Sequence, residues 1–387
     1  MAQRVSELVA RAKAAIDACD GGRLVAEALR GPHWRYAWIW AVGKAARAMS
    51  RDTGGGFVVD ATRAGHPLPD ERSVACAEQL LAAARAVPAD ERALLLLSGG
   101  ASALVGAPVA GLTLDELAAA TRALMNGGAS IHEINVVRRH LTQLGGGKLA
   151  AACPGAIDVL ALSDVAGNDP ATIGSGPASP EPATRAEALA LARRYRVPAA
   201  AMAALERVGE NPRADDPAFA RGTYRVLASP ETLRDEAMRV VGGAGWRVRA
   251  WPGLVAGDVE DFVVDLVPAV RALAPGEALV AVGEPTVRVR GSGLGGRAQH
   301  LALAMAAPLS STRCTFVALG SDGRDGPTEA AGAFVDGSTL SRLAARGIDA
   351  AGALERCDSH RALAAIAASV PRWDTGTNLT DLYVVAC

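Results

Sequence analysis

Three charged side chains, Lys44, Asp164 and Arg297, stand in small-residue loops where chemistry on an anion is possible. Lys44 closes Ala41-Val-Gly-Lys, after an apolar run and before a helical stretch. Glycine permits a sharp turn close to a ligand, and lysine adds a point charge suited to phosphate or carboxylate. A lysine at the positive end of a helix is unfavourable unless an anion joins it. The alternative is a solvated lysine. Asp164 follows the apolar run 157–162. A carboxylate there can take a proton from an attacking hydroxyl or hold Mg²⁺. Asp169 is a second metal candidate, or a turn residue bonding its own backbone. Arg297 ends Gly291-Ser-Gly293-Leu-Gly295-Gly296-Arg and opens a helix, which fits a phosphate clamp. Those glycines match G-x-G-x-x-G, a weak signal for nucleotide binding when alone.

Other loops offer the same chemistry. Ser98-Gly99-Gly100-Ala-Ser102 follows the apolar run 94–97 and supplies hydroxyls and amides for an anion nest. Asn135 and Arg138 are three apart, so they share a helix face; Arg139 reads as part of a solvated basic face. Gly174-Ser175-Gly176 lies in the loop 163–182, and a loop of that length is usually functional. Gly320-Ser-Asp322-Gly-Arg-Asp325 carries two carboxylates suited to Mg²⁺–nucleotide contact or to an Asx turn. Thr377 and Asn378 add small polar groups before the last strand, and Glu284 joins the nucleotide set. Gly145 to Lys148 is not a Walker A loop, since Thr142 stands where its first glycine belongs and Leu149 follows the lysine.

These loops need elements to hold them. Val5, Leu8, Val9, Ala12 and Ile16 recur at helical spacing, so the chain opens with an amphipathic helix that Gly21-Gly22 breaks. Strands are expected at 36–42, 57–59, 93–97, 157–162, 224–228, 246–251, 278–282, 286–290, 315–319 and 382–386. Thr113 with Glu116 and Ser130 with Glu133 form capping boxes at helix starts. One helical stretch is expected over 184–208. Strand–helix alternation implies a mainly parallel sheet, and ligands of such sheets bind beyond the carboxyl ends of the strands. The expected division is 1–240 and 241–387.

Bulk numbers exclude several classes. The formal net charge of the 387-residue chain is -1, which gives no footprint for nucleic acid or an anionic membrane surface. Aromatics are 4%, too few for base-stacking platforms. The six cysteines show no C-x-x-C pair, so reduced thiols in a cytoplasmic protein are expected. The six histidines show no zinc spacing. No apolar run is long enough to span a bilayer.

Taken in order, AVGKAA (41–46), LLSGGASAL (96–104), INVVRRHLTQLGGGKLA (134–150), LALSDVAGNDPATIGSGP (160–177), GEPTVRVRGSGLGGRAQHLAL (283–303), GSDGRDGPTEAAGAFVDG (320–337) and TGTN (375–378) resemble the glycerate 2-kinase family with the MOFRL C-terminal domain. The resemblance implies an α/β protein: a Rossmann-like parallel-sheet N-terminal domain, a smaller α/β MOFRL domain, and an active site in the cleft between them. It implies phosphoryl transfer from ATP, with Mg²⁺, to the 2-hydroxyl of D-glycerate. Lys44 and Arg297 would be the catalytic cations and Asp164 the base or metal ligand. The loops 98–102 and 174–177 would line the anion site. A monomer or homodimer is expected. Ala298 and His300 depart from the family's Asn and Glu, and Ala166 and Asn168 stand where the loop usually has Pro and Asp. The competing expectation is an NAD(P)H-dependent hydroxypyruvate reductase, which rests on the Gly291–Gly296 glycines.

Overall fold

The structure is a computed structural model that describes residues 2–30, 35–54, 56–65, 68–310 and 312–387. It divides into two compact units, residues 21–227 and residues 1–20 with 228–387. The boundary therefore falls near 227 rather than 240. The opening helix, Ala2–Asp17, belongs with the C-terminal residues. Its stripe of Val5, Leu8, Ala12 and Ile16 is buried, against the Pro230–Gly242 helix among others. Sequence order does not reveal which sheet such a stripe covers.

In the 21–227 unit, five strands run β1 (Trp38–Val42), β2 (Phe57–Val59), β3 (Arg92–Leu97), β4 (Ala156–Leu162) and β5 (Tyr224–Ala228). The sheet order is β2-β1-β3-β4-β5. β1 pairs in parallel with β2 and β3, and β3 pairs in parallel with β4. Leu94 to Leu97 are buried because helices cover both faces, as a parallel sheet demands. Each such leucine contributes roughly 1.5–3 kcal/mol of hydrophobic stabilisation. Register places Val42 beside Leu97 and Leu97 beside Ala161, so the carboxyl ends of β1, β3 and β4 are level.

A second core in this unit is helical. It joins the helices Leu114–Asn126, Ile131–Leu141, Arg185–Arg194 and Ala199–Arg207. The first two start at the expected capping boxes, with Thr113 and Ser130 each exchanging bonds with a glutamate three residues on. The expected single helix over 184–208 is two. Arg196 takes a left-handed φ of 52° and Pro198 follows, so the backbone cannot continue. The break after the opening helix lies at residues 18–20, and Gly21-Gly22 begin the next helix, Gly21–Ala28.

The other unit holds β6 (Arg247–Ala250), β7 (Glu277–Gly283), β8 (Thr315–Gly320), β9 (Ala330–Asp336), β10 (Ser369–Pro371) and β11 (Asp381–Ala386). Their order is β10-β9-β8-β11-β7-β6. Only β6–β7 is parallel; the other four pairs are antiparallel. The mainly parallel expectation thus holds for the first unit and fails here. The strand list differs as well. The 286–290 stretch is not a strand, with Thr286 alone making a bridge, and β9 and β10 had no counterpart in the sequence reading. The expectation of reduced cysteines also fails for one pair. Cys314 and Cys387 adjoin the paired Thr315 and Ala386 and are joined by a disulfide.

Candidate active site

In the 21–227 unit the loops after β1, β3 and β4 come together at one sheet end. Gly43 has φ 131°, and a Cβ there would collide with the Ser98 hydroxyl and carbonyl. Ser98 donates its N–H to the Val42 carbonyl (3.0 Å), and Lys44 donates its N–H to Gly99 (2.9 Å). The Ser98 hydroxyl accepts the Ala45 N–H at 3.1 Å and is fully buried. Ser98 therefore braces the turn that presents Lys44, whose side chain is exposed. Gly99 is buried, and Gly100 takes a left-handed φ of 86° to turn into the Ala101–Leu104 helix.

The long loop folds back onto this end. Ser102 and Ser175 hydroxyls lie 2.7 Å apart. A Cβ at Gly174 would press on Leu97 and Ala101. Gly146 and Gly147 donate N–H groups to the carbonyls of Ser175 and Gly176, at 2.9 and 2.7 Å. Gly174, Ser175 and Gly176 all have positive φ, 57°, 64° and 57°. Ser175 is not glycine, so its φ stores backbone strain of the kind that collects at functional sites. Asp164 stands two residues past β4, partly exposed. Asp169 accepts from Ala171 N–H (3.1 Å) and the Thr172 hydroxyl (2.8 Å), which is the turn reading of that residue.

Arg138 and Asn135 lie on the Ile131–Leu141 helix. Burial pulls Arg138 below the ordinary arginine value. A guanidinium in that state attracts an anion. Its neighbour Arg139 corrects the sequence reading: it is 1% exposed and forms a bidentate pair with Glu181, at 2.5 and 2.6 Å. Lys148 also has a structural contact, donating to the carbonyls of Arg139 and Thr142 at 2.6 Å. Burial, offset in part by Glu181, lowers its pKa to about 7.

In the other unit, antiparallel pairing sets the start of β11 opposite the ends of both neighbours, with Asp381 facing Gly283 of β7 and Gly320 of β8. Arg297 begins the Arg297–Leu309 helix and meets two carboxylates there. Nη1 lies 2.9 Å from Glu284, while Nε and Nη2 lie 3.2 and 3.3 Å from Asp381. Burial works against the Arg297 charge, but Asp381 and Glu284 outweigh it and raise its pKa. Burial pushes Asp381 up to about 7, and Arg297 only partly offsets this. The Tyr383 hydroxyl donates to Asp381 at 3.1 Å. Burial and then Asp381 hold that phenol well above its usual value. Sequence reasoning missed Asp381; its one signal was an acid opening an otherwise apolar strand.

The remaining expected contacts divide. Asp325 is buried and accepts N–H groups of Ala298 (3.0 Å) and Gln299 (2.8 Å), plus the Gln299 side-chain amide (2.8 Å). It thus caps the helix that Arg297 opens, and burial raises its pKa against those bonds. Gln299 in turn meets His360 Nδ1 at 2.7 Å. The four glycines of the Gly291 loop are explained by the chain's own packing. Cβ atoms at Gly291 and Gly293 would strike the Arg356 backbone, at Gly295 the Ser359 hydroxyl, and at Gly296 Asp325. Asp322 forms an Asx turn with Arg324 N–H at 3.0 Å. Thr377 and Asn378 are buried, and the Thr377 and Thr380 hydroxyls have no hydrogen-bond partner among the described residues. Orphaned hydroxyls of that kind suit a ligand. Leu379 N–H reaches the Ser321 hydroxyl at 2.9 Å, joining this loop to the one after β8. Two concavities, of about 80 and 590 Å³, contain none of these candidates. No group of three or more acidic, His or Cys side chains among the described residues is arranged to hold a metal. No helix among the described residues is long and apolar enough to cross a membrane.

A parallel sheet with an exposed lysine in a glycine turn, and a sheet end where two carboxylates hold an arginine, define a two-unit α/β protein. Known proteins share both halves. A domain of unknown function, DUF4147, matches residues 7–208, and the MOFRL family matches residues 277–381. A Thermotoga maritima protein named D-glycerate 2-kinase is 34% identical, over 83% of this chain and 78% of its own. An Agrobacterium vitis protein with the provisional name hydroxypyruvate reductase is 35% identical, over 84% of this chain and 77% of its own. The crystal structure of glycerate kinase from Thermotoga maritima has a TM-score of 0.89 and 30% identity, over all of both chains. The chain belongs to the glycerate kinase family with a MOFRL domain.

Proposed function

We propose that this protein transfers the γ-phosphoryl group of ATP to the 2-hydroxyl of D-glycerate, giving 2-phosphoglycerate and ADP. The observation that carries the reading is the Arg297 clamp in the MOFRL half of a chain 34% identical to a named D-glycerate 2-kinase. The acceptor oxygen bonds to phosphorus as the bond from phosphorus to the β-phosphate oxygen breaks. Such a transfer needs positioning and charge neutralisation rather than covalent catalysis. Arg297 and Lys44 neutralise the charge on the moving group. Asp164 orients the acceptor hydroxyl and takes its proton. Arg138, with Asn135, holds the glycerate carboxylate.

Ser102, Ser175 and the backbone around Gly99, Gly100, Gly174 and Gly176 line the acceptor side. Glu284, Asp322, Thr377 and Asn378 line the nucleotide side. Ser98 and Asp325 position Lys44 and Arg297, and Asp169 holds its own turn. Mg²⁺ binds mainly through substrate phosphates with one or two carboxylates, which fits the lack of a preformed cage among the described residues. In the alternative role for Asp164 it would hold Mg²⁺ rather than take the proton, and the ion would supply further neutralisation when bound.

The reductase reading loses its one support. The Gly291–Gly296 glycines follow no strand and pack on the chain itself, and Asp325 fills the helix N-terminus where a dinucleotide phosphate would sit. Two incubations test the choice. D-Glycerate with Mg·ATP is expected to give ADP and a phosphoglycerate, and hydroxypyruvate with NADH or NADPH is expected to stay unreduced. Reduction without phosphorylation would reverse the assignment.

A further inference from the structure

We propose that Asp381 is the positioning residue that orients Arg297 for the transferring phosphoryl group, with Tyr383 holding Asp381 in turn; this rests on the phosphotransfer reading. Asp381 opens β11, a strand paired on both sides, so its backbone is fixed by Gly283 and Gly320. Its carboxylate takes the Nε and Nη2 edge of Arg297, while Glu284 takes Nη1. A guanidinium has five N–H groups, so further donors remain for a phosphate. Glu284 is 45% exposed and the Asp381 side chain 7%. The buried partner fixes the angle, and the exposed one screens the charge. A carboxylate this buried is unfavourable for stability unless paired, and an apolar or amide side chain would suit the core better. Its presence here serves the arginine.

The groups facing Asp381 are Arg297, Glu284, Asp325 and Tyr383. With the carboxyl pushed up to about 7, protonation on the acid side is expected to loosen its hold on Arg297. The test is Asp381→Asn. Loss of an orienting partner is expected to lower kcat about 10- to 100-fold, with KM for ATP and glycerate changed less than about threefold. The wild-type kcat profile is expected to fall below about pH 7, and the variant profile to lack that limb. A carboxyl with a raised folded pKa loses stability as pH rises, so the variant is expected to melt no lower than wild type at pH 8. Tyr383→Phe is expected to lower kcat in the same sense, by less.

Unchanged kcat, or a kcat loss matched by a lower melting temperature at pH 8, would overturn the proposal. Crystal structures of wild type and Asp381→Asn read the orientation without turnover. Arg297 is expected to leave its place in the variant, and an unmoved Arg297 would refute the role. If Arg297 moves but the wild type does not phosphorylate glycerate, the functional reading has failed and the orienting role has not.

Discussion

Replacing Arg297 by lysine keeps the charge and removes the fork, which separates geometry from electrostatics. The guanidinium touches Glu284 and two oxygens of Asp381; a single ammonium reaches only one carboxylate well. Removing one preorganised donor from a developing charge costs about 10²- to 10³-fold in rate, or ~2.7–4 kcal/mol. Arg297→Lys is expected in that range for kcat, measured by coupled ADP release with saturating ATP and glycerate. Stability follows a different scale. Breaking a buried pair costs about 3–5 kcal/mol, but Arg297 is 39% exposed and lysine retains a charge, so about 1–2 kcal/mol is expected.

The pH dependence fixes the sign. Asp381 ionises near 4 when unfolded and near 7 when folded, so its protonated form adds stability at low pH that is lost between those values. A weaker cation raises the folded pKa further. The melting deficit of the variant is therefore expected to be larger at pH 8 than at pH 6. A variant with more than a third of wild-type kcat, or a deficit that grows on acidification, would refute this reasoning.

Three other outcomes follow from the geometry. Gly43→Ala places a methyl group inside Ser98 at a φ of 131°, so activity is expected to fall at least tenfold with a clear loss of melting temperature; both are read on one preparation. Glu181→Gln leaves Arg139 buried without its counter-charge, and a loss of about 3–5 kcal/mol is expected in denaturant titrations, with kcat largely kept in the folded fraction. Chelating divalent cations is expected to abolish turnover while leaving the melting temperature of the nucleotide-free protein unchanged, since no carboxylate cage is preformed among the described residues.

Much of the first unit was legible from its residues. Runs such as Leu94 to Leu97 suit strands buried on both faces, and Gly43 and Gly100 mark turns that the structure requires. Register then carries Lys44, Ser98 and Asp164 to one sheet end, as strand–loop order suggested. The second unit was less legible because antiparallel pairing depends on contacts across the sequence. Asp381 comes 84 residues after Arg297, and nothing local marks it as a partner. Nor does spacing show that the Gly291 glycines answer to Arg356 and Ser359 rather than to a phosphate. Arg139 looked solvated because its partner, Glu181, lies 42 residues on.

The proposed reaction has Lys44 and Arg297 acting on a single phosphoryl transfer. Single-turnover transfer from ATP to D-glycerate, compared for wild type, Lys44→Ala, Arg297→Ala and the double variant, measures this most directly. Groups that act as a unit lose their effects non-additively. Each single variant is expected to slow the step about 10²- to 10³-fold, and the double variant to be little slower than the worse single one. Near-wild-type transfer by either single variant, or losses that multiply fully, would contradict it.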